Sequence, residues 1–143
     1  MIDFRMSKIK VDQFAILAKD LPNGDVGFNS YLSFSVNPAI PEIKVTTKCE
    51  IVNQEMLLVV LELTCTFEIR KDNWDSLIDN GNMVLPKEFL AHLAMHSVGT
   101  ARGVLYSKTE DTMYSQFILP PTDVLSKIAK DLTVAVQTEP SKE

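Results

Sequence analysis

From residue 42 to residue 70 apolar and polar side chains alternate with a period of two, and this pattern constrains the fold more than any other feature. Ile43, Val45, Thr47, Cys49 and Ile51 share one parity, while Glu42, Lys44, Thr46, Lys48 and Glu50 share the other. Side chains alternate across a strand, so this is a half-buried antiparallel strand with one wet face. Val52-Asn53-Gln54-Glu55 reads as a turn, and a second strand follows over residues 56–70. Its odd positions, Leu57, Val59, Leu61, Leu63, Cys65, Phe67 and Ile69, are apolar from end to end and form a core face. Its even positions divide. Glu62, Thr64, Thr66 and Glu68 are polar, whereas Met56, Leu58 and Val60 are not. Half of the second face is thus expected to be uncovered apolar surface, a binding surface or a subunit seam.

The preceding residues read as two further strands. Phe4 and Met6, Ile9 and Val11, and Phe14 and Ile16 are three apolar pairs of alternating parity. Each change of parity implies a bulge in one long, bent strand. Leu21-Pro22-Asn23-Gly24-Asp25 supplies turn chemistry. Leu32, Phe34 and Val36 alternate with Ser33 and Ser35 until residues 37–41 break the pattern.

The second half turns helical. Residues 71–83 connect, with Asp72-Asn73 capping a short turn that carries Trp74, Leu77 and Ile78. Pro86 opens a helix where proline is best tolerated. Phe89, Leu90, Leu93, Val98, Val104 and Leu105 give it bulk, and Ala91, Ala94, Ser97, Gly99, Ala101 and Gly103 lie between them. Each interior glycine costs about 1 kcal/mol relative to alanine, so close packing must compensate. The helix is expected to be buried on two sides, one by its own sheet and one by a neighbouring subunit. Ala91, Ala94, Met95, Val98 and Ala101 are the expected interface. Residues 113–119 read as an extended return broken by Pro120-Pro121. Thr122 or Asp123 then caps a second helix with a stripe of Val124, Leu125, Ile128, Ala129, Leu132 and Val136. The fold class is therefore α+β, a four-stranded antiparallel sheet with one long and one short helix. It forms a single domain over residues 1–137 and a polar tail over 138–143.

Little in the chain supports catalysis. His92 and His96 share a helix face, but Leu93 follows the first histidine where a metalloprotease needs glutamate, and no third ligand is near in sequence. They read as structural or interface histidines. Cys49 and Cys65 fall on apolar faces and read as buried free thiols. Val98-Gly99-Thr100-Ala101-Arg102-Gly103 matches neither a P-loop nor a dinucleotide fingerprint. The expectation is a non-enzyme with no catalytic residue, metal or cofactor. A net charge of −5 with no Lys/Arg cluster argues against nucleic acid. The longest apolar run is too short to span a bilayer and the N-terminus has no signal-like core, so a cytoplasmic location is expected.

On these elements the chain resembles the SecB family of protein-export chaperones. Phe4-Arg5-Met6-Ser7-Lys8-Ile9 resembles the family's Phe-x-Ile-x-x-Ile opening strand, and Phe67-Glu68-Ile69 the Phe-Ser-Ile that ends its fourth. Val84-Leu85-Pro86 is similar to the lead into its main helix. Phe117-Ile118-Leu119-Pro120-Pro121-Thr122-Asp123-Val124 is similar to the Leu-x-Leu-x-Pro-x-Asn-Phe before its last helix. These segments span residues 4–132. Ser107-Lys108-Thr109-Glu110-Asp111 stands where the family has a Gly- and Pro-containing loop, which predicts a longer helix.

The resemblance implies an ATP-independent holdase that binds unfolded or export-competent polypeptides in extended form. The SecA motor of the Sec translocase, or an antitoxin from a toxin–antitoxin pair, is the implied further partner. The family's acidic docking surface for SecA lies on its first and fourth strands. Here the nearest acids, Asp12, Glu62 and Glu68, are offset from that pattern, and Leu58, Val59 and Val60 occupy its best-matching positions. Met56, Leu58, Val60, Trp74 and Leu77 are the expected peptide groove. The implied assembly is a homo-oligomer, a dimer or a dimer of dimers. Two other classes fit the residues: a hot-dog-like acyl-thioester hydrolase and a plain oligomeric scaffold.

Overall fold

The computed structural model describes residues 1–54 and 56–136, so the expected tail at 138–143 lies outside the described residues. Strands β1 (Phe4–Ile16), β2 (Gly27–Val36), β3 (Glu42–Asn53) and β4 (Met56–Ile69) form an antiparallel sheet in the order β1-β4-β3-β2. The apolar parity of β3 and β4 meets in register: Ile43 faces Phe67, Val45 faces Cys65, Thr47 faces Leu63, Cys49 faces Leu61 and Ile51 faces Val59. All ten side chains are buried. The three apolar pairs of β1 come in turn onto this face, opposite Ile69/Phe67, Cys65/Leu63 and Leu61/Val59. Register shifts fall between Met6 and Lys8 and between Val11 and Gln13, the two points where parity changes. Each bulge returns the next pair to the core side.

A third bulge was hidden. Ile51 pairs with Val59 but Val52 pairs with Leu57, which leaves Leu58 as the extra residue of β4. A bulge turns adjacent side chains toward one side, and Leu58 is fully buried within the main core. Val60 remains on the other face between Ala15 and Glu50 of the neighbouring strands and is only 3% exposed. The expected uncovered apolar half-face is therefore absent from the described residues: of its three members only Met56 is open to solvent.

Helix α1 (Lys71–Ser76) follows β4. Its Trp74 is buried and the indole N–H donates to the Pro38 carbonyl at 2.9 Å, fixing the crossover to the β2–β3 loop. The short β5 (Ile78–Asp79) and β6 (Asn82–Leu85) form a hairpin closed by Asn80 and Gly81, both at positive φ. Asn-Gly favours such a tight turn because both residues accept that conformation.

Helix α2 (Lys87–Thr109) lies across β3 and β4, and it does run past residue 107. Pro86 occupies its N-cap without a capping side chain of its own, and the Lys87 N–H instead donates to the Asp131 carboxylate at 2.9 Å. The Arg102 side chain donates to the Leu119 and Pro120 carbonyls at 2.7 and 3.3 Å, holding the return segment against the helix. That return is not wholly extended. It begins with a 3-10 turn (Met113–Gln116) in which Tyr114 is buried and its hydroxyl donates to the Ala18 carbonyl at 2.6 Å.

The C-terminal helix is a single turn, α3 (Val124–Lys127), with Asp123 accepting from the Ser126 N–H as its cap. The expected stripe through Leu132 and Val136 is not helical. Strand β7 (Leu132–Ala135) instead pairs with β6 and completes a second, three-stranded sheet.

Candidate functional site

The five residues expected to line a peptide groove do not come together. Met56 and Leu58 begin β4, whereas Trp74 and Leu77 follow its far end. The strand between them is roughly 40 Å long. Leu58, Val60 and Trp74 are within 3% of full burial and Leu77 is half-buried; Leu58, Trp74 and Leu77 pack in the protomer's own core, and Val60 is covered on the opposite face of the sheet.

An open apolar groove exists elsewhere. Leu32 and Phe34, on the core side of β2, face Leu90 of α2 and the segment Ile128, Ala129 and Leu132 across a cleft of about 390 Å³. Lys127, Lys130 and Asp131 form its charged rim. β2 is an edge strand, so one row of its backbone groups is available beside the cleft. Lys127 reaches this strand, its Nζ donating to the Ser30 carbonyl at 2.7 Å. The alternation of Leu32 and Phe34 marked one wall in the sequence. The opposite wall carries no such mark, because Val124, Ile128 and Leu132 have the spacing of a helix.

A second apolar surface runs along α2 and β1. The small residues expected at a subunit interface mostly face the protomer's own sheet: Ala91, Ala94, Val98 and Ala101 are buried, and only Met95 points outward, 63% exposed. Small side chains on that side allow the helix backbone to approach the sheet closely. The outward stripe is His92, Met95, His96, Gly99, Gly103 and Tyr106. α2 rests on β3 and β4, so the core side of β1 is left partly open, with Ile9 50% and Val11 38% exposed. Phe4 joins the two surfaces. Its ring meets Phe67, Phe89, His92 and His96 edge-on, with centroids 5.4–5.9 Å away.

The candidate reactive groups are placed for structure. His92 and His96 lie with ring centroids 5.0 Å apart, both against Phe4. Among the described residues no group of three or more His, Cys, Asp or Glu is placed to hold a metal. Cys49 and Cys65 are free and buried, and Cys65 lies opposite Val45 while Cys49 lies opposite Leu61. Burial pushes the Cys49 thiol up to about 11 against a small opposing pull from Arg102. Burial also raises Cys65, partly offset by the neighbouring hydroxyls of Ser97 and Thr100. Both are protonated at neutral pH, the unreactive form. No helix of the described residues is long and apolar enough to cross a membrane.

No protein-family model matches the chain and no curated protein matches its sequence. Its structure is similar to that of a Mycobacterium tuberculosis SecB-like chaperone in complex with a ChAD peptide from the HigA1 antitoxin. The TM-score is 0.53 at 16% sequence identity, and the match covers 83% of this chain and 90% of that one. The α+β architecture of a four-stranded antiparallel sheet crossed by a long helix is therefore the SecB-like fold, in a divergent sequence.

Proposed function

We propose that this protein is a molecular chaperone, an ATP-independent holdase that keeps unfolded polypeptides from aggregating. The observation that carries the reading is the likeness, over most of both chains, to a SecB-like chaperone holding a peptide. The cleft between Leu32 and Phe34 on one wall and Leu90, Ile128, Ala129 and Leu132 on the other is the client site in this reading. A client would bury apolar side chains there, at about 25 cal/mol per Å², while its backbone pairs with the free edge of β2.

The same proposal makes the working form an assembly of copies. Met95, Tyr106, Ile9 and Val11 supply the exposed apolar contacts, and Gly99 and Gly103 leave room for a close approach. Between the two client classes, an antitoxin is favoured over delivery to the Sec translocase. The peptide held by the structural neighbour comes from an antitoxin, and the outer face of the sheet carries Lys8 and Lys10 of β1 and Lys44 of β3 around Thr64 and Thr66 of β4. The test is light scattering from a chemically denatured client diluted into buffer without ATP. A molar excess of this protein should suppress the scattering, and an unchanged trace would end the holdase reading. Cleavage of an acyl-thioester by the purified protein would instead place it among enzymes.

A further inference from the structure

The sheet face turned away from α2 carries a charge pattern that the client cleft does not explain. Two adjacent rows cross all four strands. One runs Lys8–Thr66–Lys44–Ser35 and the next Lys10–Thr64–Thr46–Ser33. In a chain of net charge −5, these rows hold three lysines, and their other members are all hydroxyl residues. The lysines and most of these hydroxyls line one shallow depression of about 280 Å³. Asp12 is the single acid on its wall, and it accepts from the Thr64 hydroxyl at 2.6 Å. The lysines are exposed, and among the described residues none forms an ion pair, although Arg5, Lys48, Arg70 and Lys71 all do.

We propose that this face is a docking surface for an acidic polypeptide segment in extended conformation. Lys8 and Lys10 are two residues apart on β1, about 7 Å, which is the spacing of alternate side chains on any extended peptide. Lys44 lies two strands over from Lys8, about 10 Å away, within reach of a carboxylate on the same ligand. Between them Thr66 offers a hydroxyl donor to a carboxylate, while the protons of Thr64 and Thr46 are taken up by Asp12 and by Thr64 in turn. The patch is short. The row at one end sets Glu42 and Glu68 beside Arg5 and the row at the other sets Glu62 beside Lys48, so unopposed positive charge is confined to the two rows. The depression has no aromatic lining residue on which a base could stack, and no arginine fork for phosphate. A short run of aspartate or glutamate fits these limits. The surface lies on the far side of the sheet from the proposed client cleft, so either can fail without the other.

The experiment is fluorescence anisotropy of a labelled peptide of alternating glutamate and threonine, with the full chain at low salt. Binding is expected, and it should weaken steeply as salt shortens the Debye length to about 3 Å. A triple variant Lys8→Gln, Lys10→Gln, Lys44→Gln should lose about tenfold or more in affinity. The charge-matched control Lys19→Gln, Lys71→Gln, Lys87→Gln should bind like the parent. In the unsubstituted protein, carbodiimide coupling of the peptide should mark Lys8, Lys10 or Lys44 by mass spectrometry. Equal losses in the two triple variants, coupling confined to other lysines, or tighter binding of an oligothymidylate than of the peptide would each overturn the proposal.

Discussion

Gly99 and Gly103 offer a way to separate what α2 does inside the protomer from what it does outside. Both lie on the exposed side of the helix. A methyl group at Gly103 would meet no atom within 4 Å, and one at Gly99 would find only the end of the Arg102 side chain at 4.0 Å. Neither glycine is at positive φ. Nothing inside the protomer therefore requires glycine at either place. In the interior of a helix each glycine costs about 1 kcal/mol relative to alanine. The double variant Gly99→Ala, Gly103→Ala should then stabilise the isolated protomer by about 2 kcal/mol and raise its Tm by roughly 6 °C. If a second copy packs on this stripe, the same two methyls intrude on the contact. Overpacking of that kind costs about 1–3 kcal/mol, which corresponds to a roughly 5- to 150-fold weaker association. Urea melts below the dissociation concentration read the first effect, and sedimentation equilibrium reads the second. The expected variant is a more stable protomer that assembles less well. A more stable protomer with unchanged association would refute the placing of the interface on α2.

Three other substitutions probe the protomer. Thr47 lies beneath α2 with its hydroxyl buried and without a hydrogen-bond partner among the described residues. Thr47→Val removes that burden at nearly constant shape and should stabilise by about 1 kcal/mol in a thermal melt. Asp131→Ala removes the acceptor for the Lys87 N–H at the start of α2 and should destabilise by about 1 kcal/mol. It should also quicken amide exchange around residues 128–132, a wall of the client cleft. The folded state holds the Cys49 proton more tightly than the unfolded chain, whose thiol titrates near 9.0. Stability is thus intact below that value and falls as pH rises toward about 11, by about 2–3 kcal/mol. Cys49→Ala should flatten that alkaline decline, as measured by urea melts across the range.

The sheet was legible wherever apolar and polar residues contrast, and obscure where they do not. Both bulges of β1 show in the sequence because each displaces an apolar pair by one position. The bulge at Leu58 does not, since residues 56–61 are all apolar and a slip of one leaves no mark. That hidden slip is why Leu58 was expected in an open groove and is found in the core. On α2, small residues occupy both sides, alanines against the sheet and glycines toward solvent. Spacing alone could not say which side met which neighbour. The C-terminal segment satisfied two periods at once. Val124, Ile128, Leu132 and Val136 recur every four residues as in a helix, while Leu132, Val134 and Val136 alternate as in a strand. Pairing with β6 decided for the strand. The Asn80-Gly81 hairpin is visible in the sequence as an Asn-Gly pair inside the connection between β4 and α2.

Binding of a permanently unfolded polypeptide, followed by isothermal titration without nucleotide, tests the central claim most directly. The account predicts association with a negative heat-capacity change, the mark of buried apolar surface. Phe34→Asp, which sets a charge in the cleft wall, should weaken it about tenfold or more while the β2–β3 pairing keeps the fold. No binding tighter than ~100 μM, or equal binding by the Phe34→Asp protein, would contradict it.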